Sequence, residues 1–324
     1  MIEVQQEDVQ RYIKHILELP YPVSAENLLS IAKQFNIPAI LAQNIVECII
    51  DDMERSGLLQ PFPLPTGYKC DGSGSYATIN NLKIYTHPPE DDLYLSRLLL
   101  HGLKHEDAES DYISHLIRPG YNIIDVGANI GINTLKYARM VGSNGRVIAI
   151  EPESNNYRLL NLNIESNGFR DNVTTYSCAL SDSIGQTCLY INPTNRGDHR
   201  MWSFSRRENV VVPCRTLDSL EINHPIHMIK IDVQGAEADV LKGASKLIAS
   251  ANNLILNVEY WPTGLHAMGC SPSSFNDLIK DLGFSRILCI NEKNKEPVVY
   301  NSIVDCIPEY SNHFIDLICI KGFM

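Results

Sequence analysis

The chain has 324 residues, 44% of them hydrophobic, and a formal net charge of −11. That length accommodates a main domain of roughly 200 residues and an appended one. The acidic balance, with no lysine- or arginine-rich run, argues against nucleic acid or an anionic membrane as partner.

Nine scattered cysteines, odd in number and without a CxxC pair, read as reduced thiols of a cytoplasmic protein, not as a disulfide framework or zinc site. No apolar leader and no bilayer-length run is present in the sequence. Residues 1–60 are expected to form a small helical module, winged-helix-like in outline. Val9, Ile13, Ile16 and Leu17 mark one apolar face, and Ser24 caps a second helix with Leu28, Ile31, Ala32 and Phe35. Pro38 opens a third, with Leu41, Ile45, Cys48, Ile49 and Met53 on one face, and Gly57 stops it. Nine acidic against four basic residues turn this module away from DNA and toward dimerisation or a protein partner.

Residues 61–118 read as a proline-rich linker, a short hairpin over 66–86 and a lead-in helix over 91–117, broken by Pro119-Gly120. The main domain is placed at 119–324. Apolar runs at 121–126, 146–150, 173–180, 226–231 and 253–259 alternate with helical periodicity, as in Ile132, Leu135 and Ala138 or Tyr157, Leu160 and Ile164. The same spacing returns in Val240, Leu241, Ala244, Leu247 and Ile248. Short apolar strands between amphipathic helices predict an α/β fold, a Rossmann-like parallel sheet with helices on both faces. Residues 284–290 and 314–320 suit a closing antiparallel hairpin.

The strongest local signal is Asp125-Val126-Gly127-Ala128-Asn129-Ile130-Gly131, which follows an apolar strand and opens a helix. Gly127 and Gly131 let the backbone turn tightly against a ligand, and the helix start supplies free N–H groups. Glu151, 20 residues after Gly131, ends the next strand, where a carboxylate can accept from both hydroxyls of a ribose. A dinucleotide would place its pyrophosphate here, but a carboxylate at Asp125 repels one and suits the ammonium of a methionine moiety. S-adenosylmethionine is therefore favoured over NAD as cofactor.

"IIDVGANIG", "IEPE" at 150–153, "LDSL" at 217–220 and "IKIDVQGAEADVLKGA" at 229–244 together resemble the FkbM-type methyltransferases. The resemblance covers roughly residues 105 to 290, and the Asp-x-x-Gly-x-Glu string makes it specific. Gln234 stands where that family usually has Glu. The resemblance implies a class I methyltransferase sheet and S-adenosylmethionine-dependent O-methylation, often of sugar or polyketide hydroxyls. It implies that Asp125, Gly127, Asn129 and Gly131 hold the methionine end, Glu151 the ribose, and Ala179 to Asp182, including Ser181, the adenine. Glu109, on the lead-in helix, is a further candidate for the cofactor.

Methyl transfer needs an aligned acceptor and a group to take its proton. Asp232, closing the fourth strand, is one candidate beside the cofactor; Glu237 suits a cap for the turn around Gly235. The insertion carrying Asn195, Asp198, His199, Arg200 and Trp202 resembles a substrate clamp, with His199 the second candidate base. Glu259, Tyr260 and Trp261, after the fifth strand, complete the expected acceptor wall. His101, His105 and Glu109 recur every four residues, a spacing compatible with a metal, but Glu106 and Asp107 make it an ordinary solvated face and no metal is expected. Two other readings share these residues: an NAD-linked oxidoreductase, and a cofactor-binding regulatory module without turnover.

Overall fold

The computed structural model describes residues 62–103, 108–202, 207–290, 296–306 and 314–322, with Gln34 before them. The helical module expected over 1–60, and His105, lie outside the described residues.

The predicted hairpin is a three-stranded antiparallel sheet of β1 (Lys69–Asp71), β2 (Gly74–Ile79) and β3 (Leu82–Tyr85). Two short helices follow, α1 (Leu95–Leu100) and α2 (Ala108–Leu116), where one was expected over 91–117. His101 ends the first and its Nε2 bonds to the Pro63 carbonyl at 3.0 Å, so it shares no helix face with Glu109.

The alternation from residue 119 onward builds the central sheet. Its strands β4 (Asn122–Val126), β5 (Arg146–Ile150) and β6 (Val173–Tyr176) are separated by α3 (Ile132–Val141) and α4 (Ser154–Ser166). The run at 173–180 divides. Its second part becomes β7 (Ala179–Leu180), which pairs with β9 (Asn209–Arg215) in a small sheet beside β8 (Gly185–Tyr190). Strands β10 (Met228–Ile231) and β11 (Leu254–Tyr260) return to the main sheet around α5 (Glu237–Lys242) and α6 (Ser245–Ser250). Helices α7 (Pro262–Ala267) and α8 (Pro272–Asp281) lead to β12 (Arg286–Ile290), β13 (Pro297–Tyr300) and β14 (Ile315–Lys321).

The eight strands lie in the order β13-β12-β14-β11-β10-β4-β5-β6. The five from β11 to β6 are parallel, and β14 inserts antiparallel between β11 and β12. This is the expected Rossmann-like class I arrangement. The closing antiparallel pair forms as read, in the register Ile287↔Cys319, with β13 added at the edge.

Both faces of the sheet are covered, which is why its strands are apolar at successive positions. Ile124, Ile229, Leu256 and Val258 face α5, α6 and α8, whereas Ile123, Val147, Met228 and Ile255 face α2 and α3. Helix α4 packs with α1 and the β2–β3 hairpin over Ala128 and Leu135. Among the described residues no helix is long and apolar enough to cross a membrane.

Candidate functional site

The parallel strands leave a cleft of about 750 Å³ at their carboxyl ends, where such sheets bind ligands. Its floor is the turn from β4 into α3. Gly127 has φ +80° and Gly131 has φ +95°, and a Cβ on Gly127 would collide with the Asp232 carbonyl oxygen. Glycine at 127 is therefore demanded by the approach of two strand ends. The Gly127 and Ala128 N–H groups both bond to the Ile150 carbonyl at 3.0 Å. Asn129, in the left-handed region at φ +50°, lines the cleft with a buried Oδ1 that has no hydrogen-bond partner among the described residues.

Glu151 reaches the same turn. The Asn129 N–H donates to its Oε2 at 2.8 Å and the Glu153 N–H to its Oε1 at 2.9 Å. Burial lifts its pKa to about 7 against these bonds. Each oxygen keeps a lone pair for a ligand hydroxyl. An unpartnered acceptor at Asn129, a carboxylate at Glu151 and the small walls Cys178, Ala179 and Leu180 fit the ribose and base of a nucleoside cofactor.

Several expected positions need correction. Asp125 does not line the cleft; it is buried, accepts from Thr134 Oγ1 at 2.6 Å and pairs in register with Lys230. Burial raises its pKa, with the Lys230 charge and the Thr134 bond acting against that rise. Glu109 also lies off the cleft, its Oε1 accepting from Asn257 Nδ2 at 2.5 Å. Ser181 does not line the cleft, its N–H bonded to the Arg215 carbonyl at 2.9 Å, and Asp182 is exposed beside it. The wall given to Ala179–Asp182 thus begins at Cys178 and ends at Leu180.

At the acceptor end Asp232 faces the cleft as expected, with 37% of its side chain exposed. Lys230 Nζ lies 3.0 Å from its Oδ2 and Gln234 Nε2 donates to its Oδ1 at 3.0 Å. Burial alone would lower the Lys230 pKa, but Asp232, Asp316 and Asp125 hold it well above its ordinary value. Gln234 also donates to Glu259 Oε2 at 3.2 Å. Glu259 is buried in the cleft wall, and burial, then Asp232, Glu237 and Asp316, push its pKa well up, favouring the protonated form. Asp316, which the sequence reading missed, stands opposite Glu259 in the β11–β14 ladder. Glu237 caps its turn, its Oε1 accepting from the Val233 and Gly235 N–H groups at 3.1 and 3.0 Å.

Tyr260 is no part of the wall: it is fully buried and stacks on Phe275, planes 2° apart. Trp261 lines the cleft as expected, and Trp202 lies behind it, centroids 6.2 Å apart, donating from Nε1 to the Gln234 carbonyl at 3.2 Å. The Arg200 guanidinium sits 4.7 Å from the Trp261 ring and 5.0 Å from Trp202. Asn195, Asp198 and Arg200 line the cleft as expected. The Asp198 carboxylate is committed, however, to Arg200 at 2.6 Å, Arg207 at 2.7 Å and Asn192 at 3.0 Å. Burial would raise its pKa, but the two guanidinium groups outweigh burial and lower it. Asp198 thereby ties Asn192, Arg200 and Arg207 together.

His199 is placed in the cleft but not as a base. Its Nδ1 accepts the Asn192 N–H at 3.1 Å, and burial lowers its pKa to about 4. At neutral pH the proton sits on Nε2, which leaves no free lone pair on the ring.

Residues 125–284 match the model of the methyltransferase FkbM domain. The methyltransferase sdnD of Sordaria araneosa is 27% identical over 198 residues, covering 50% of this chain and 73% of that one. Among solved structures, methyltransferase FkbM from Methylobacillus flagellatus KT aligns with a TM-score of 0.41 and 16% identity, over 68% of this chain and 49% of the other. A SAM-dependent O-methyltransferase from Thermotoga maritima aligns with a TM-score of 0.41 and 14% identity, over 69% and 70% of the two chains.

Proposed function

Because the chain carries an FkbM-type methyltransferase domain, we propose that its cleft transfers a methyl group from S-adenosylmethionine to a hydroxyl of a sugar, glycan or small natural product. The carrying observation is the continuity of one cleft from Glu151 and Asn129, at the nucleoside side, to Asp232 at the strand end beside it. When bound, the cofactor supplies a methyl group already activated on a sulfonium sulfur. What the chain adds is alignment and a proton acceptor.

Asp232 takes that second role. Lys230 and Gln234 fix both of its oxygens, and it is the exposed carboxylate of the group. It accepts the proton as the hydroxyl oxygen attacks. Glu259, buried and biased toward its protonated form, donates to an acceptor oxygen; this division between two neighbouring carboxyl groups follows from their different burial. Arg200 between Trp202 and Trp261 gives a flat, polar-edged surface suited to a sugar ring. The eight described cysteines are free thiols, which supports work in the cytoplasm. The acidic surface favours a small acceptor over nucleic acid.

Calorimetric titration with S-adenosylmethionine and, separately, NADH tests the reading. Micromolar binding of the first alone, weakened in Glu151→Ala, is expected. Preference for NADH would replace it with an oxidoreductase. In an acceptor screen with labelled methyl donor, Asp232→Asn should keep cofactor binding and lose transfer at least a hundredfold, on the order of a general base's contribution. Full turnover in that variant would remove Asp232 from its role.

A further inference from the structure

Among the described residues, two buried polar atoms of the cleft have no hydrogen-bond partner, Asn129 Oδ1 and His199 Nε2. With Nδ1 already accepting the Asn192 N–H, the Nε2 of the neutral ring is a donor. A buried N–H without an acceptor is costly, and folded proteins rarely keep one. A ligand that completes the bond removes the cost.

The position of the ring identifies that ligand's end of the cleft. Asn156, in the first turn of α4, donates from Nδ2 to the Arg196 carbonyl at 3.0 Å, seating the loop on that helix. A Cβ on Gly197 would come within 3.3 Å of Asn129 Nδ2, so the loop also lies against the glycine turn. Glu153 is the carboxylate that acts most strongly on the imidazole. Asn129 and Glu153 are the two residues whose N–H groups bind Glu151. His199 is therefore grouped with the nucleoside side, whereas Asp232 is held by Lys230 and Gln234.

We propose that His199 is a cofactor-positioning residue whose Nε2–H donates to the nucleoside half of S-adenosylmethionine, making the 192–199 loop a clasp on the cofactor. This rests on the cofactor assignment above. The clasp is held together by Asn192, whose Oδ1 accepts the Thr194 and Asn195 N–H groups at 3.0 Å. The Leu93 N–H adds a bond to the Thr194 carbonyl at 2.7 Å.

The test compares wild type, His199→Phe and His199→Gln by calorimetry, with melting temperatures recorded for each. The ligands are S-adenosylhomocysteine and 5′-methylthioadenosine, the second lacking the amino-acid half. Phenylalanine keeps the ring and removes the donor; glutamine restores an N–H at a similar reach. The expected result is a roughly tenfold weaker Kd for both ligands in His199→Phe, as one hydrogen bond predicts, and recovery in His199→Gln. Unchanged binding in His199→Phe overturns the proposal. A loss confined to S-adenosylhomocysteine overturns the nucleoside assignment. Equal losses in both variants with lowered melting temperatures make His199 a packing residue and overturn its role as donor. If the wild type binds neither ligand, the cofactor assignment fails and this inference with it.

Discussion

A lysine in a strand buried on both faces must find its counter-charges inside the protein, because an isolated buried ammonium is prohibitively costly. Lys230 finds Asp232, just past the end of its own strand, at 3.0 Å, and its register partner on β4 is Asp125. The Asp125 carboxyl lies behind the cleft, bonded to Thr134 Oγ1 at 2.6 Å, and burial raises its pKa. Glu151 is another residue whose environment sets its charge. Its pKa rises from 4.5 to about 7 through burial, so the folded state holds a proton that the unfolded state has released between those values. Its contribution to stability is therefore complete below pH 4.5 and lost as pH rises through 7, about 3 kcal/mol in all. The lowered pKa values of His87, His199, His224 and His227 act in the opposite sense, their share being lost as pH falls below about 6.5. The difference between wild type and Glu151→Gln isolates the carboxyl. Urea unfolding at pH 5 and pH 7.5 should show the wild type losing more stability than the variant over that interval. Equal losses would mean that Glu151 stays charged in the fold.

Helix α4 holds the N-terminal hairpin by side chains that take the place of a fourth strand. Asn163 accepts the Tyr85 N–H at 2.6 Å and donates to the Tyr85 and Ile130 carbonyls at 3.0 and 2.8 Å. One turn later Asn167 accepts the Lys83 N–H at 2.9 Å and donates to the Lys83 carbonyl at 2.7 Å. The free edge of β3 is thus satisfied by a helix face, which also protects it from pairing with another chain. Asn156, seven residues before Asn163, continues the stripe by accepting from His87 Nε2 at 2.6 Å. Replacing Asn163 with Ala leaves a buried N–H and two carbonyls without these bonds, and should cost about 2–4 kcal/mol. Urea titration measures the loss, and amide exchange should quicken at Tyr85 before it quickens in β4. Unchanged protection at Tyr85 would mean that apolar packing alone holds the hairpin.

The cleft draws on the whole described chain, from Phe62 before β1 to Asp316 on β14. Ligand binding should therefore stabilise hairpin, central sheet and closing strands together. At a hundred times its Kd, S-adenosylhomocysteine should add about 2.7 kcal/mol by mass action and raise Tm by several degrees. Scanning calorimetry should show a single transition that moves as a unit. Two transitions with only one shifted would mean that the N-terminal segment folds independently of the cofactor.

The sequence by itself determined the sheet, because apolar runs alternating with 3.6-residue periodicity have one economical solution, burial of both strand faces under helices. It also brought Gly127, Asn129 and Glu151 to one cleft: they lie on adjacent strand–turn units, and a local motif carries their relation. What depends on distant pairing was not legible. Asp316 meets Glu259 only because β14 inserts antiparallel beside β11. Lys230 was hidden in a run that read as uniformly apolar, although a lysine between two buried isoleucines is itself a signal of a paired internal charge. Tyr260 leaves the expected wall while Glu259 and Trp261 stay in it, because successive side chains at a strand end point to opposite sides. Only the tertiary structure decided the chemistry of His199, since a histidine's role follows from which ring nitrogen is already bonded, and Asn192 is brought to it by the fold of the loop.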